Sequence, residues 1–103
     1  MWGQLISTRV KAGKESELPK LYQQLEAAEP GNSGLVRSMA FRDQKDPSRL
    51  HMLVLFQSEE HARAREADEQ RQQQLEGARA TMADMFDGPP EFTDLEVVYD
   101  FTP

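Results

Sequence analysis

The stretch Leu50-His51-Met52-Leu53-Val54-Leu55-Phe56-Gln57 decides the fold. Its run from Met52 to Phe56 is apolar without a break, where a strand with one wet face would alternate. It reads as a central strand buried on both faces.

Upstream, the polar connection Asp43-Gln44-Lys45-Asp46-Pro47-Ser48-Arg49 joins it to a strand over Leu35–Arg42, opened by Gly34. Downstream, Ser58-Glu59-Glu60 offers a capping hydroxyl and first-turn carboxylates, the chemistry of a helix start. That helical region runs to Phe86 with a break near Asp68, and its inward stripe is Leu75, Ala78, Met82, Met85 and Phe86. Asp87-Gly88-Pro89-Pro90 stops it. A last strand is expected over Phe92–Phe101, with Leu95, Val97 and Tyr99 on one side.

At the other end, residues 2–10 alternate as a strand. Trp2, Gln4, Ile6, Thr8 and Val10 share one face, and Leu5, Ser7 and Arg9 the other. After the turn Lys11-Ala12-Gly13 comes a helix with Leu18, Leu21, Tyr22, Leu25 and Ala28 in one stripe. Ser16 as N-cap would place Pro19 in the first turn, where its missing N–H costs nothing. Pro30-Gly31 ends that helix.

The element order is β-α-β-β-α-β, the ferredoxin-like α+β plan: a four-stranded antiparallel sheet with helices on one face. The central strand is nonetheless apolar on both faces. The uncovered face calls for a second copy, so a homodimer is expected, in the manner of a dimeric α+β barrel.

Composition bounds the rest. A chain of 103 residues, 38% hydrophobic and 29% charged, is one lean domain over 1–103. With no Cys, disulfides, thiolate catalysis and cysteine metal sites are excluded, and a reducing cytoplasm is the simplest home. A net charge of −6 argues against nucleic acid. Arg63, Arg65, Arg71 and Arg79 alternate with acids and read as a solvated helix face. The first residues lack the pattern of a signal peptide, and no apolar segment approaches the ~20 residues that span a bilayer, so no membrane partner is expected.

Four features together carry a family resemblance. They are Val10-Lys11-Ala12-Gly13-Lys14 entering the first helix, Pro30-Gly31 with Gly34, the hairpin Arg42–Arg49, and Phe56-Gln57-Ser58-Glu59-Glu60 leaving the third strand. The chain resembles the antibiotic biosynthesis monooxygenase domain, of the dimeric α+β barrel superfamily, over nearly its whole length. The resemblance implies the fold and the homodimer. It also implies a cofactor-independent oxidoreductase, a monooxygenase-like protein taking a small aromatic or polyketide-like molecule between sheet and helices. Other members have no known activity, so a non-catalytic dimeric module for small-molecule binding or assembly is the alternative. The haem-degrading branch relies on an Asn, a Trp and a haem-ligating His. Their places fall at Ile6, Arg65 and Gln74, none of which matches, so haem degradation is not expected.

Within the oxygenase reading, His51 is the candidate base for a phenolic proton, or else a half-solvated strand-end histidine. Arg37, in line with Leu35, Met39 and Phe41, could hold a carboxylate or phenolate, or pair with an acid such as Glu96 across the dimer. Trp2 and Tyr99 could stack on a planar ligand near one sheet end, or serve as core and interface anchors. His61, between Glu60 and Arg63, reads as a surface residue. Neither histidine has a ligand at metal-binding spacing, so neither a metal nor a cofactor is expected.

Overall fold

A computed structural model describes residues 1–103. Strand β1 (Trp2–Arg9) leads through a short 3-10 turn (Glu15–Glu17) into helix α1 (Leu18–Ala27). Strands β2 (Leu35–Arg42) and β3 (Arg49–Phe56) follow as a hairpin. Helices α2 (Glu59–Glu66), α3 (Glu69–Gln74) and α4 (Glu76–Met85) then precede strand β4 (Glu91–Glu96). All pairings are antiparallel, in the order β2-β3-β1-β4, so the apolar β3 does take a central place.

Caps explain where the helices begin and break. Ser58 Oγ accepts from the His61 N–H at 3.2 Å and starts α2, and Asp68 Oδ1 accepts from the Arg71 N–H at 2.9 Å and starts α3. The expected break near Asp68 is therefore a second N-cap. Ser16 caps nothing: it lies in the 3-10 turn, and Pro19 falls at the second position of α1, with Glu17 before it making no side-chain cap bond.

The helices lie on one sheet face. Val10, Leu18, Leu21, Ala28, Leu50, Leu75, Ala78 and Met85 form the main core, with Tyr22, Leu25, Met82 and Phe86 packed around it. A smaller cluster, Val54, Phe56 and Ala62 with Trp2, Ile6 and Leu35, fills the space under α2. Gly34 makes that fit possible. Its φ is +81°, and a Cβ there would fall 2.7 Å from the His61 Cβ, so α2 seats against a position that only glycine fills without strain.

The opposite face is bare, and register assigns its occupants. Across the sheet its rows read Arg37–Leu55–Gly3–Leu95, then Met39–Leu53–Leu5–Thr93, then Phe41–His51–Ser7–Glu91. A bulge between Leu35 and Arg37 turns Leu35 to the helix side, so it does not share a face with Arg37 as simple alternation would have it.

The last strand is shorter than expected. It ends at Glu96 and not Phe101, because beyond one bond from the Val97 N–H to the Met1 carbonyl (3.2 Å) the tail has no strand to pair with.

Candidate functional site

Cross-strand register gives His51 a partner. Ser7 lies directly opposite it on β1, and the Ser7 Oγ sits 2.8 Å from His51 Nδ1, half-buried. Both side chains point to the bare face, flanked by Phe41 and Glu91 in their own row and by Leu5 and Leu53 in the next. In the tautomer with hydrogen on Nδ1, Ser7 accepts and Nε2 keeps its lone pair as a free proton acceptor. Ser7 escaped sequence reading, because strand pairing and its offset are decided across forty-four residues of chain. The available signal was that it alternates onto the same face as Leu5.

The other expected site residues do not join this couple. Arg37 is on the same bare face but four residues along the strand direction, which is ~13 Å at about 3.3 Å per residue. A single phenol ring spans less than half of that. Arg37 makes no ion pair, and its suggested partner Glu96 is on the opposite face, level with Trp2. Trp2 faces the helices, tilted against Phe56 with ring centroids 6.2 Å apart. Tyr99 lies three residues beyond β4 and is 81% exposed. Trp2, Arg37, His51 and Tyr99 thus occupy three separate regions of one chain. The site expected between sheet and helices is not assembled from them. The reason is parity: odd-numbered positions of β3, and those paired with them, face away from the helices.

Trp2 does line an open depression of 470 Å³ at one sheet end, with Met1, Gln57, Ser58, Glu59, Asp94, Leu95 and Glu96. The guanidinium of Arg63 covers the indole at 5.1 Å and bonds Asp94 (2.9 Å) and Glu59 (3.1 Å). Hydrogen bonds from Gln4 and then Arg63 hold the Asp94 carboxyl below its ordinary range. A second depression, 330 Å³, is bordered by Met82, Ala83, Phe86, Gly88 and Pro90. Neither contains Arg37 or His51.

The space under α2 is occupied by charge that sequence reading placed in solvent. Arg65 turns inward, bonds Glu29 at 2.8 Å and lies 5.3 Å over the Phe56 ring, with the pair only 17% and 20% exposed. The long stem of Arg suits such a half-buried post, apolar beneath and charged at its tip. Burial, and after it the neighbouring Arg65, lower the Arg71 guanidinium from its ordinary value.

A haem does not fit this donor set. Ile6 is packed in the cluster under α2, Arg65 is committed to Glu29 and Phe56, and Gln74 is an exposed amide at the end of α3. His61 turns to Ser58, its Nδ1 at 2.6 Å from the hydroxyl, and His51 lies across the sheet.

No protein-family model matches the chain. No curated protein matches it either. Solved structures do. A candidate antibiotic biosynthesis monooxygenase from Nitrosomonas europaea superposes with a TM-score of 0.73 at 20% identity, over 96% of this chain and 100% of that one. A second antibiotic biosynthesis monooxygenase gives 0.71 at 15% identity, with 96% and 100% covered. An arginine-to-serine variant of MhuD, solved with two manganese protoporphyrin IX molecules per active site, gives 0.79 at 22% identity over 100% of both chains. At these identities the likeness is one of backbone and not of site. The chain has the ferredoxin-like α+β fold of structures named as antibiotic biosynthesis monooxygenases.

Proposed function

We propose that the chain, as one domain over 1–103, is a homodimeric, cofactor-independent monooxygenase-like protein for a small aromatic substrate. His51 is its base and Ser7 fixes the ring. The observation that carries this reading is the 2.8 Å Ser7–His51 contact on an otherwise largely apolar sheet face. A base serves best where its neighbours exclude water, and a second copy stacked on this face would supply the exclusion. The names of the solved structures with this fold support the reaction class.

The chemistry needs no resident redox group. His51 Nε2 takes the proton of an electron-rich phenol, whose ring then reduces dioxygen. One oxygen atom enters the ring and the other leaves as water, so that phenol and O2 become quinone and H2O. The proton moves to the imidazole as charge leaves the ring. Arg37 would hold a distal carboxylate or phenolate of a larger, polyketide-like substrate, and Tyr99 would serve as a ring-stacking contact outside the base's reach, while Trp2, turned to the helices beneath Arg63, takes no part.

The test is oxygen uptake with a panel of phenols and hydroxynaphthalenes. The expected result is one O2 consumed per quinone formed, with His51→Asn slowing the rate at least ~100-fold and Ser7→Ala less. No uptake by the wild type, or an unchanged rate in His51→Asn, ends this reading. A second reading, the non-catalytic dimeric binding or assembly module, would then stand. What favours it is the failure of Trp2, Arg37, His51 and Tyr99 to meet in one chain.

A further inference from the structure

One end of the sheet finishes on a row of like charges. Arg9 closes β1 and Arg49 opens β3, directly opposite each other and of the same parity as Ser7 and His51, so both belong to the bare face. Like charges placed directly across a strand pair destabilise it. Arg9 is matched within the chain, since its guanidinium bonds Asp46 at 2.8 Å and also Ser48. Arg49 is exposed and makes no ion pair. The Asp43 carboxyl, at the same end of the hairpin, is turned to the N–H groups of Lys45 (2.8 Å) and Asp46 (3.1 Å). These two bonds, and more weakly the charge of Arg49, hold it below its ordinary range. Arg49 thus keeps its guanidinium fork free, two residues along the strand from His51.

We propose that Arg49 is the carboxylate anchor of this site, and that the substrate is a phenol carrying a carboxylate para to its hydroxyl, directly or on a one-carbon arm. The inference deepens the monooxygenase reading and rests on it for the role of His51.

Length, shape and charge all point to that class. Positions two apart on one strand face are separated by ~6.6 Å, at about 3.3 Å per residue. The polar ends of a para-hydroxyaryl acid are a similar length apart, so its hydroxyl and carboxylate meet His51 and Arg49 together. An ortho isomer, with both groups on adjacent carbons, meets only one of them at a time. Arg37, ~13 Å from His51 in the other direction, is beyond the reach of one ring. Phe41, opposite His51 on β2 and 48% exposed, gives the ring an apolar neighbour. Glu91, the acid in the row of His51, lies two strands away on β4, roughly 10 Å at about 4.8 Å per strand, and leaves the Arg49 side cationic. A planar guanidinium takes both carboxylate oxygens at once. The bound anion also relieves the repulsion between Arg9 and Arg49, which favours it beyond its own hydrogen bonds.

The experiment measures binding of three probes to the full chain by thermal shift and titration calorimetry: para-hydroxyphenylacetate, its neutral amide and the ortho acid. The para acid should bind at least ~10-fold tighter than either of the others. Arg49→Gln should abolish that preference without weakening the amide, changing the circular dichroism or lowering the melting temperature, and Arg49→Lys should recover part of it. His51→Asn should weaken acid and amide alike. Equal binding of acid and amide by the wild type, or a preference that survives Arg49→Gln, overturns the inference, and oxygen uptake on phenols would then leave the monooxygenase reading standing. An acid preference that depends on Arg49, with no oxygen uptake on any phenol, keeps the anchor and removes the monooxygenase reading.

Discussion

The two faces of the sheet are built to opposite rules. The helix-covered face is finished within one chain: Leu21, Ala78 and Met85 are almost completely buried, and even a half-buried arginine, Arg65, has a carboxylate and a ring to rest on. The bare face has the same four strands and nearly the same proportion of apolar residues, but nothing above it. It holds Leu5, Met39, Leu53 and Leu55 together with an imidazole, a hydroxyl and an unpaired guanidinium. The difference teaches where stability ends and function begins. The closed face fixes the strands, and the open face is where the proposed base and partner would sit.

Removing bulk from each face separates them most sharply. Met85→Ala should cost about 2–5 kcal/mol in urea unfolding, independent of protein concentration, because it leaves a cavity in a closed core. With a second chain packed on the bare face, as proposed, Leu53→Ala should lower the unfolding midpoint by an amount that grows with protein concentration. Equal, concentration-independent losses at both positions would erase the distinction. Gly34→Ala comes next. The positive φ and the clash with His61 should together cost about 1–3 kcal/mol and loosen α2 over the closed face, read as a lower melting temperature. Ser58→Ala removes the cap of the same helix and should cost about 1 kcal/mol by the same measurement.

The smallest effect is electrostatic and lies beside the bare face. Hydrogen bonds from Ser48 and then Arg9 lower the Asp46 carboxyl from 3.8 to about 2. Because the folded value is depressed, the stabilisation is complete above 3.8 and is lost as pH falls through about 2. Asp46→Asn should therefore flatten the acid limb of the stability curve between those two values and leave the neutral region almost unchanged. An acid limb identical to that of the wild type would show that the hairpin bonds do not persist in solution.

Much of the fold was legible in local chemistry. The unbroken run from Met52 to Phe56 placed β3 in the sheet interior, Ser58 marked a helix start that its cap bears out, and the break read near Asp68 is where a second cap begins a new helix. Leu75, Ala78 and Met85 were readable as core from their spacing. The site was far less legible. Alternation put Leu35 and Arg37 on one face, and one bulge separates them. The charged stripe of α2 and α3 looked uniformly solvated, but Arg65 turns inward because Glu29 and Phe56, distant in sequence, give it a place. Tyr99 read as the end of a strand, since its sequence favours one. Whether a strand forms depends on a neighbour to bond, and within this chain there is none past Val97.

Sequence alone determined what local forces decide: periodicity, turn and cap chemistry, and hence the β-α-β-β-α-β order with an apolar strand that demands cover on both sides. Tertiary structure decided what depends on register and parity. It set Ser7 against His51, turned that couple and Arg37 away from the helices, sent Trp2 toward them, and left the aromatic tail unpaired. The physical reason is that a strand's side chains have a period of two. A single-residue shift in pairing, or one bulge, moves a residue from one face to the other, and no local preference records which of the two it will be.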